Sequence, residues 1–210
     1  MMLEVPFYEN RGDENQCVQV TMQSVLKHFL DKDHSLKELD KFTGRKTGLW
    51  TWTSQAVMVL HELGLKVKYY SKSDLQPLLE GKSFIRKRYG KDADKILKFS
   101  DIPIVIQSIK KLIRWNVFEK RKLPLDEIGM HIKHGHVPLM MIDYNKIIGK
   151  RDFYQGHFVV VTGFDGKNIF YHESGPSNPE KNKKVPKSIF AKAWNSNGTD
   201  NDVVIVYGKR

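Results

Sequence analysis

The sequence predicts an α+β protein, because apolar residues recur at helical spacing through residues 1–134 and follow strand patterns through residues 135–210. This segregation differs from the regular strand–helix alternation of a parallel α/β sheet. The chain has 210 residues, of which 40% are hydrophobic and 11% aromatic, enough for one sizeable core. We therefore expect a single domain over residues 1–210, with a helical lobe packed on an antiparallel sheet.

Residues 1–72 carry the clearest helical signals. From Cys17 onward, apolar positions recur every three to four residues, and Ser35 is a good N-cap for a second helix. The predicted elements of this part are an extended segment (Leu3–Tyr8), a polar turn (Asn10–Gln16), a helix from Cys17 to near Asp31, a helix from Ser35 to Phe42, a helix capped by Thr53 or Ser54 and ended by Gly64, and a strand (Leu65–Tyr70).

Residues 73–134 are predicted to form a basic helical insertion followed by a short helix over Asp126–His134. Between Gly81 and Leu125, thirteen basic and four acidic residues supply nine of the eleven net positive charges of the chain. Such a segment, taken as residues 81–122, can bind an anionic partner, or it can be the solvated face of an amphipathic helix. It contains no recognisable nucleic-acid-binding motif, so we do not expect nucleic acid as the partner.

Residues 135–210 are predicted to form the sheet lobe. The run HFVVVTGF over His157–Phe164 is strongly apolar, and Asp165-Gly166 is a strong turn signal before a return strand. The remaining predicted elements are a strand at Val137–Asp143, the return strand Ile169–His172, a short helix at Ser188–Trp194 and a last strand at Val203–Tyr207.

Composition excludes several classes of protein. Cys17 is the single cysteine, so neither a disulfide framework nor a cysteine zinc cage can form within the chain. No apolar run reaches the roughly 18–20 residues of a membrane span, and residues 1–19 lack the pattern of a signal peptide. His131, His134 and His136 lie close together but lack an evident fourth ligand. We expect a cytoplasmic protein without a metal or other cofactor.

Cys17 is the first candidate for chemistry. It lies at the predicted first turn of a helix, where unpaired backbone N–H groups and the helix dipole favour a thiolate over a thiol. This position lowers the pKa of a cysteine and makes it nucleophilic. The alternative is a small buried apolar residue with no chemical role.

His157 and Glu173 are the candidates for its partners. A two-residue turn at Asp165-Gly166 places His157 opposite Ser174, and a change of one residue in the turn shifts the register by one. His157 is therefore expected beside Glu173 or one residue from it, where a carboxylate would orient the imidazole. The alternatives are an ordinary histidine at a strand end and a solvated turn carboxylate.

At several places the sequence resembles a known family. The segments are VPFY at Val5–Tyr8, the cysteine helix that contains VLKHF, and GHFVVVTGFDGKNIFYHES at Gly156–Ser174. They resemble the papain-like peptidases that process double-glycine bacteriocins, and above all the stand-alone peptidase-like domains related to them. The resemblance covers both ends of the chain and leaves out the basic middle.

The resemblance implies a papain-like cysteine peptidase fold with Cys17 as nucleophile, His157 as base and Glu173 at the position of the usual Asp. An oxyanion-hole Gln is expected shortly before the cysteine. Asn10 is the nearest match to its place, and Gln16, adjacent to Cys17, is the other candidate. The family commonly has Gly directly after the cysteine, and this chain has Val18.

Two functional hypotheses follow. The first is a cysteine-dependent hydrolase of a peptide or amide bond, which would become an acyltransferase if an amine or thiol intercepted the acyl-thioester. The second is an inactive papain-like scaffold that binds a peptide or anionic partner through its basic segment. Trp50 and Trp52 would line a substrate groove in the first case, or pack in the core.

Overall fold

A computed structural model describes residues 1–150 and 153–210 of the chain. The helices follow the predicted spacing in most places. They are α1 (Cys17–Leu30), α2 (Leu36–Thr43), α3 (Thr53–Glu62), α4 (Lys82–Tyr89), α5 (Ala93–Lys98), α6 (Ile102–Trp115), α7 (Leu125–Lys133), α8 (Tyr144–Ile147) and α9 (Lys187–Trp194), with 3-10 turns at Gln76–Glu80 and Gly90–Asp92.

The strands form one mixed sheet, which has seven strands within the described part of the chain. Its order is β2-β1-β7-β3-β4-β5-β6, and every neighbouring pair is antiparallel except β1 and β2. The strands are β1 (Leu65–Ser71), β2 (Phe118–Lys120), β3 (Val137–Asp143), β4 (Gly156–Phe164), β5 (Asn168–Glu173), β6 (Glu180–Pro186) and β7 (Val203–Lys209).

The α+β class is confirmed, although the two halves of the chain mix more than the sequence pattern predicts. Two strands from the helical half, β1 and β2, extend the sheet beyond the last strand, β7. The buried core is continuous across this junction and joins Val25 and Leu60 of the helical half to Phe158 and Val204 of the sheet half. Helix α1 packs on β4 and β7, and α3 packs on β1.

The start of α3 differs from the prediction. The N-cap is Trp52, whose backbone N–H donates to Gln55 Oε1 at 2.8 Å, and neither Thr53 nor Ser54 has that role. Their hydroxyls serve tertiary contacts instead, because Thr53 donates to Asp202 at 2.7 Å and Ser54 accepts from Ser108 at 2.8 Å. The predicted cap of α2 is correct, since Ser35 and Glu38 form a capping box.

The hairpin of β4 and β5 departs from the predicted two-residue turn. Phe164 lies opposite Ile169, so four residues form the turn, closed by the Asp165 N–H donating to Asn168 O at 3.2 Å. A bulge at Thr162 then changes the register once more.

The bulge decides which side chains of this hairpin meet. Beyond it, Val160 lies opposite His172, and this register continued by three residues sets His157 opposite Gly175. Because side chains alternate between the faces of a sheet, Glu173, two residues before Gly175, shares the face of His157. The hairpin therefore brings the imidazole and the carboxylate together diagonally across β4 and β5.

Among the described residues, no helix combines the length and the apolar character required to cross a membrane.

Candidate active site

Cys17 is the first residue of α1, as the sequence predicts, and its side chain is partly exposed. The His157 side chain and the backbone N–H groups of Phe158 and Val18 lie near its sulfur and act to lower the pKa of the thiol. Val18 supplies a free amide of the first helical turn, whereas Phe158 belongs to β4. The N-terminal end of α1 and strand β4 thus meet at the thiol.

His157 is the second residue of β4, and its imidazole is almost completely buried. Its Nε2 atom lies 2.7 Å from Glu173 Oε1. An imidazole has only two nitrogens, so Nδ1 is the atom left to face the Cys17 thiol. The ring therefore bridges the carboxylate and the sulfur.

Glu173, the last residue of β5, is 1% exposed and is held by more than the imidazole. The backbone N–H of Gly175 donates to Oε1 at 3.2 Å, and the Tyr171 hydroxyl donates to Oε2 at 3.3 Å. A buried carboxylate needs such donors to stay ionised. Both oxygens are therefore fixed in the orientation that faces His157.

The electrostatics of the three groups favour an ion pair. Burial would raise the pKa of the Cys17 thiol, but the hydrogen bond and the positive charge of His157 outweigh it, and the pKa is lowered. Burial would lower the pKa of His157, but its bonds to Cys17 and Glu173 raise that pKa to about 10. Burial likewise opposes the ionisation of Glu173, yet its bond to His157 lowers the pKa of the carboxyl. The three shifts favour the charged forms of these groups over the neutral ones.

Tyr144 and Tyr171 belong to the same cluster and were not singled out from the sequence. The Tyr144 ring meets the His157 imidazole edge-on, with centroids 5.5 Å apart. Tyr171 precedes Glu173 by two residues in a strand, and this spacing alone indicates that the two side chains share a face. Tyr144 gave no comparable signal, because it begins α8, a short helix that the periodicity does not reveal.

The two candidate oxyanion donors lie in the turn before α1. Asn10 accepts from the backbone N–H of Gly12 at 3.1 Å and donates to Asp13 O at 3.0 Å, which closes the turn. Gln16 accepts from the Asp13 N–H at 3.0 Å and donates to Asp40 at 2.8 Å. Each side-chain amide carries two N–H bonds, and these contacts use one of them.

A buried arginine fixes this turn against the rest of the helical half. The Arg45 side chain is fully buried and pairs with both Asp13 and Asp40. Its Nε also donates to Leu49 O at 2.7 Å. The network reaches Gln16, directly before Cys17, and so positions the start of α1.

Trp50 and Trp52 lie against the basic segment, residues 81–122. Trp50 stacks on Phe99 with ring centroids 5.2 Å apart, and Trp52 Nε1 donates to Ser100 Oγ at 2.9 Å. Trp52 also packs against a separate apolar cluster of α4, α5 and α6 that contains Ile85. These are packing contacts, and the substrate-groove role of both residues stays a prediction.

The histidines near β3 form a cluster of their own. His131 and His136 approach to 3.1 Å between their Nδ1 atoms, and His134 Nδ1 donates to Met130 O at 2.8 Å. Within residues 1–150 and 153–210, no group of three or more metal-ligating side chains is placed to hold an ion.

Several solved structures match this fold, and the three that follow are described as peptidases or proteases. The peptidase domain of Streptococcus ComA, a bi-functional ABC transporter of a quorum-sensing pathway, matches with a TM-score of 0.52 at 13% identity, covering 96% of this chain and 97% of that one. A double-glycine-motif protease from an AMS/PCAT transporter, solved with its leader peptide, matches with a TM-score of 0.50 at 14% identity, covering 98% and 93%. A Bacillus anthracis protein described as C39-like peptidase matches with a TM-score of 0.56 at 11% identity, covering 99% and 96%.

The fold is therefore the papain-like cysteine peptidase fold, as the sequence resemblance implies. By sequence, the chain belongs to the guanylylate cyclase family, whose model matches residues 13–206. The family match covers the basic segment as well as both ends of the chain.

Proposed function

We propose that the protein is a cysteine-dependent hydrolase of a peptide or amide bond, with residues 1–210 acting as one catalytic unit. The observation that carries this proposal is the position of His157, whose Nε2 lies 2.7 Å from Glu173 Oε1 and whose imidazole lowers the pKa of the Cys17 thiol. A histidine that only supports the fold has no need to lie near both a cysteine at the start of a helix and a buried carboxylate. This constellation is the one required for nucleophilic catalysis by a thiol.

In the first half of the reaction, the Cys17 thiolate attacks the substrate carbonyl carbon and a C–S bond forms. The carbonyl oxygen becomes an oxyanion, which the Cys17 backbone N–H and the free amide N–H of Asn10 or Gln16 stabilise. The His157 imidazolium gives its proton to the leaving amine, and the C–N bond breaks. An acyl-thioester and a neutral imidazole remain.

In the second half, neutral His157 takes a proton from water, whose oxygen attacks the thioester carbon. The C–S bond breaks, the acid product leaves and the thiolate–imidazolium pair returns. Throughout, Glu173 keeps the imidazole oriented and stabilises its charged form. An amine or thiol in place of water would make the same residues an acyltransferase.

The peptide class of substrate is supported by the related folds. One of the matching structures, the protease from the AMS/PCAT transporter, is described in complex with a leader peptide. The likeness is in fold alone, so the sequence that this protein would cleave has to come from experiment.

The test is the rate of Cys17 alkylation by iodoacetamide as a function of pH, which requires no knowledge of the substrate. Cys17 is the sole thiol of the chain, so each alkylation reports on this site. In the wild type we expect a midpoint below the free-thiol value of roughly 8.5. In His157→Ala and His157→Gln the midpoint should rise toward that value. His134→Ala, which removes an exposed histidine, is the matched control and should leave the profile unchanged.

An unshifted midpoint in folded wild type, unaffected by His157→Gln, would contradict the ion pair. The result would then favour the second function, an inactive scaffold that binds a peptide or anionic partner through residues 81–122. A peptide library separates the two functions further. A hydrolase cleaves a library member and loses cleavage in Cys17→Ala, whereas a scaffold binds without cleavage and keeps binding in that variant.

The description of the family suggests a different activity to test, the conversion of GTP to cyclic GMP. Incubation of the wild type with GTP and Mg²⁺, followed by mass spectrometry for cyclic GMP, tests it directly. Cyclic GMP formed equally by wild type and Cys17→Ala would assign an activity independent of the thiol. Cys17-dependent peptide cleavage without cyclic GMP would support the hydrolase.

A further inference from the structure

A cavity of about 470 Å³ lies beside β1 and the end of β7, next to the C-terminal ends of α3 and α6. It has no part in the proposed hydrolysis. The side chains that define its chemistry are basic or carry a hydroxyl or imidazole group, namely His61, Lys66, Lys68, Tyr70, Tyr207 and Arg210.

The cavity lies toward the opposite end of the sheet from Cys17 and His157. His157 is opposite Ile142 near the end of β3, whereas Val206, the neighbour of Tyr207, is opposite Val137 at the start of β3. Five residues along a strand correspond to about 17 Å. A ligand in this cavity would therefore leave the thiol accessible.

The cavity carries positive charge without local compensation. None of the residues that line it is acidic. Across residues 1–150 and 153–210, neither Lys66, Lys68 nor Arg210 forms a salt bridge with a carboxylate. Three cations around one concave space create a positive potential that draws in a small anion.

The carboxylates on neighbouring elements are already engaged. Glu62 at the end of α3 pairs with Lys111, and Glu119 of β2 pairs with Arg121 at 2.9 Å. The three cations of the cavity therefore remain free to bind a ligand. Lys68 gives one N–H to Asn116 O at 3.2 Å, which holds its ammonium group at the cavity while leaving two donors.

Polar groups on the walls supplement the cations. The hydroxyls of Tyr70 and Tyr207 lie 3.4 Å apart, so a ligand oxygen can accept from one or both. On another side, Arg210 Nη1 lies 3.2 Å from His61 Nε2, and the His61 ring stacks on Trp115 with centroids 4.3 Å apart. Burial and the Arg210 charge lower the pKa of His61, which favours a neutral ring beside the Arg210 guanidinium.

We propose that this cavity is a binding site for the oligophosphate group of a small molecule, a di- or triphosphate. A phosphate chain concentrates several negative charges and many acceptor oxygens in a small volume, which matches three cations and two hydroxyl donors. The limited size of the cavity favours a small molecule over a polymer. The site is independent of the proposed hydrolase activity.

The experiment is calorimetric titration of the full chain with inorganic triphosphate at moderate ionic strength. We expect one ligand per chain. Lys66→Gln combined with Lys68→Gln, both on the protein surface, should weaken binding more than about tenfold, because two charge-assisted hydrogen bonds to the ligand are lost. Lys87→Gln combined with Lys91→Gln makes the same change of net charge in the basic segment and should weaken binding less than about twofold.

Equal weakening by the two double variants would overturn the proposal, because attraction by net charge would then explain the binding. No measurable binding, or tighter binding of an oligoglutamate than of triphosphate, would overturn it as well. A nucleoside triphosphate serves to identify the source of the phosphate chain. Equal affinity for the nucleotide and for inorganic triphosphate supports recognition of phosphate alone, and tighter nucleotide binding supports an added contact of the base with the His61 ring.

Discussion

His157 Nε2 lies 2.7 Å from Glu173 Oε1, although the two residues are not directly opposed in the hairpin. The bulge at Thr162 shifts the register that the four-residue turn sets by one residue. In the shifted register the side chains of His157 and Glu173 share one face of the sheet. Without the bulge, the register of Phe164 with Ile169 would set the residue after Gly175 opposite His157 and turn Glu173 to the other face. The contact on which the proposed chemistry depends is thus created by one extra residue.

The first prediction concerns Glu173→Gln, which keeps the shape of the side chain and removes its charge. We expect the pKa of His157 to fall from about 10 toward its ordinary value of 6.5, because an ionised partner is lost. NMR titration of the His157 ring measures this directly. Glu180→Gln is the control, since it removes an exposed carboxylate at the position of β6 opposite Glu173. A His157 pKa that stays near 10 would contradict the assignment.

The same substitution should change stability in a defined pH window. The raised pKa of His157 stabilises the fold fully below pH 6.5, and this stabilisation is lost as the pH rises toward 10. The lowered pKa of Glu173 stabilises the fold above pH 4.5, and this is lost as the pH falls below that value. The difference in unfolding free energy between wild type and Glu173→Gln should therefore be largest between pH 4.5 and 6.5. Urea unfolding across pH 4–10 tests it.

The second prediction concerns Arg45→Met, which removes a fully buried guanidinium from Asp13 and Asp40. Breaking a buried ion pair from one side leaves carboxylates without their partner and costs about 3–5 kcal/mol. Because Gln16 also bonds Asp40, we expect the start of α1 to loosen and Cys17 alkylation to lose its lowered midpoint.

Arg121→Met is the matched control for Arg45→Met. Arg121 pairs with Glu119 and Glu127, but its side chain is 41% exposed, so its loss should cost less than about 1 kcal/mol. Similar destabilisation by the two substitutions, measured by urea unfolding at one pH, would show that the Arg45 network does not have the stabilising role assigned to it.

The parts of the fold that the sequence predicts are those whose periodicity is decided locally. Helix α1 and strands β3, β4 and β7 begin and end within about two residues of the predicted bounds, because their apolar positions face a single core. Strand β6 was missed, since Glu180–Pro186 is an edge strand with charged residues at most positions and no apolar alternation. Strand β2 has three residues and pairs in parallel with β1 across a long connection, which local pattern cannot reveal.

The residues of the candidate site also differ in how well the sequence predicts them. Cys17, His157 and Glu173 each carry a signal in their own segment, and the structure brings the three together. The exact register between β4 and β5 depends on the bulge at Thr162, and no residue type in the segment indicates that bulge. Tyr144 reaches the cluster through tertiary packing alone, and Trp50 and Trp52 were assigned from their aromatic character, although their contacts are with the basic segment.

The third prediction is a bell-shaped pH profile for hydrolysis of any peptide that the library identifies. The reactive form holds a Cys17 thiolate and a His157 imidazolium, so the rate should rise as the thiol ionises at its lowered pKa. It should fall again as His157 loses its proton at a pKa of about 10, because the leaving amine then receives none. Alkylation needs only the thiolate and should show no decline at high pH.

These two profiles, measured on one preparation, check each other. A decline of both hydrolysis and alkylation near pH 10 would indicate unfolding and not loss of the imidazolium, and circular dichroism at the same pH separates the two causes. A flat hydrolysis profile through pH 10 would contradict the role of His157 as the proton donor.

The fourth prediction concerns Asp202, a buried carboxyl just before β7. Its Oδ2 accepts from Thr53 at 2.7 Å and from Tyr69 at 2.8 Å, while Oδ1 is buried without a hydrogen-bond partner among the described residues. Burial raises the pKa of this carboxyl to about 7, and the hydroxyl donors only partly oppose that effect. The folded protein therefore holds a proton at Asp202 that the unfolded chain releases near pH 4.

The sign of the effect on stability follows from this difference. Between about pH 4 and pH 7 the folded state binds more protons than the unfolded state at Asp202, so its contribution to the unfolding free energy falls as the pH rises and is constant above pH 7. Asp202→Asn has no titrating group at this position. Its unfolding free energy relative to that of the wild type should therefore increase by about 2–4 kcal/mol as the pH rises from 5 to 8. Urea unfolding of both proteins at each pH gives the difference, in which the other titrating groups cancel. Asp126→Asn, at an exposed residue paired with Lys187, should show no such gain, and a constant difference between Asp202→Asn and wild type would mean that Asp202 is ionised throughout this range.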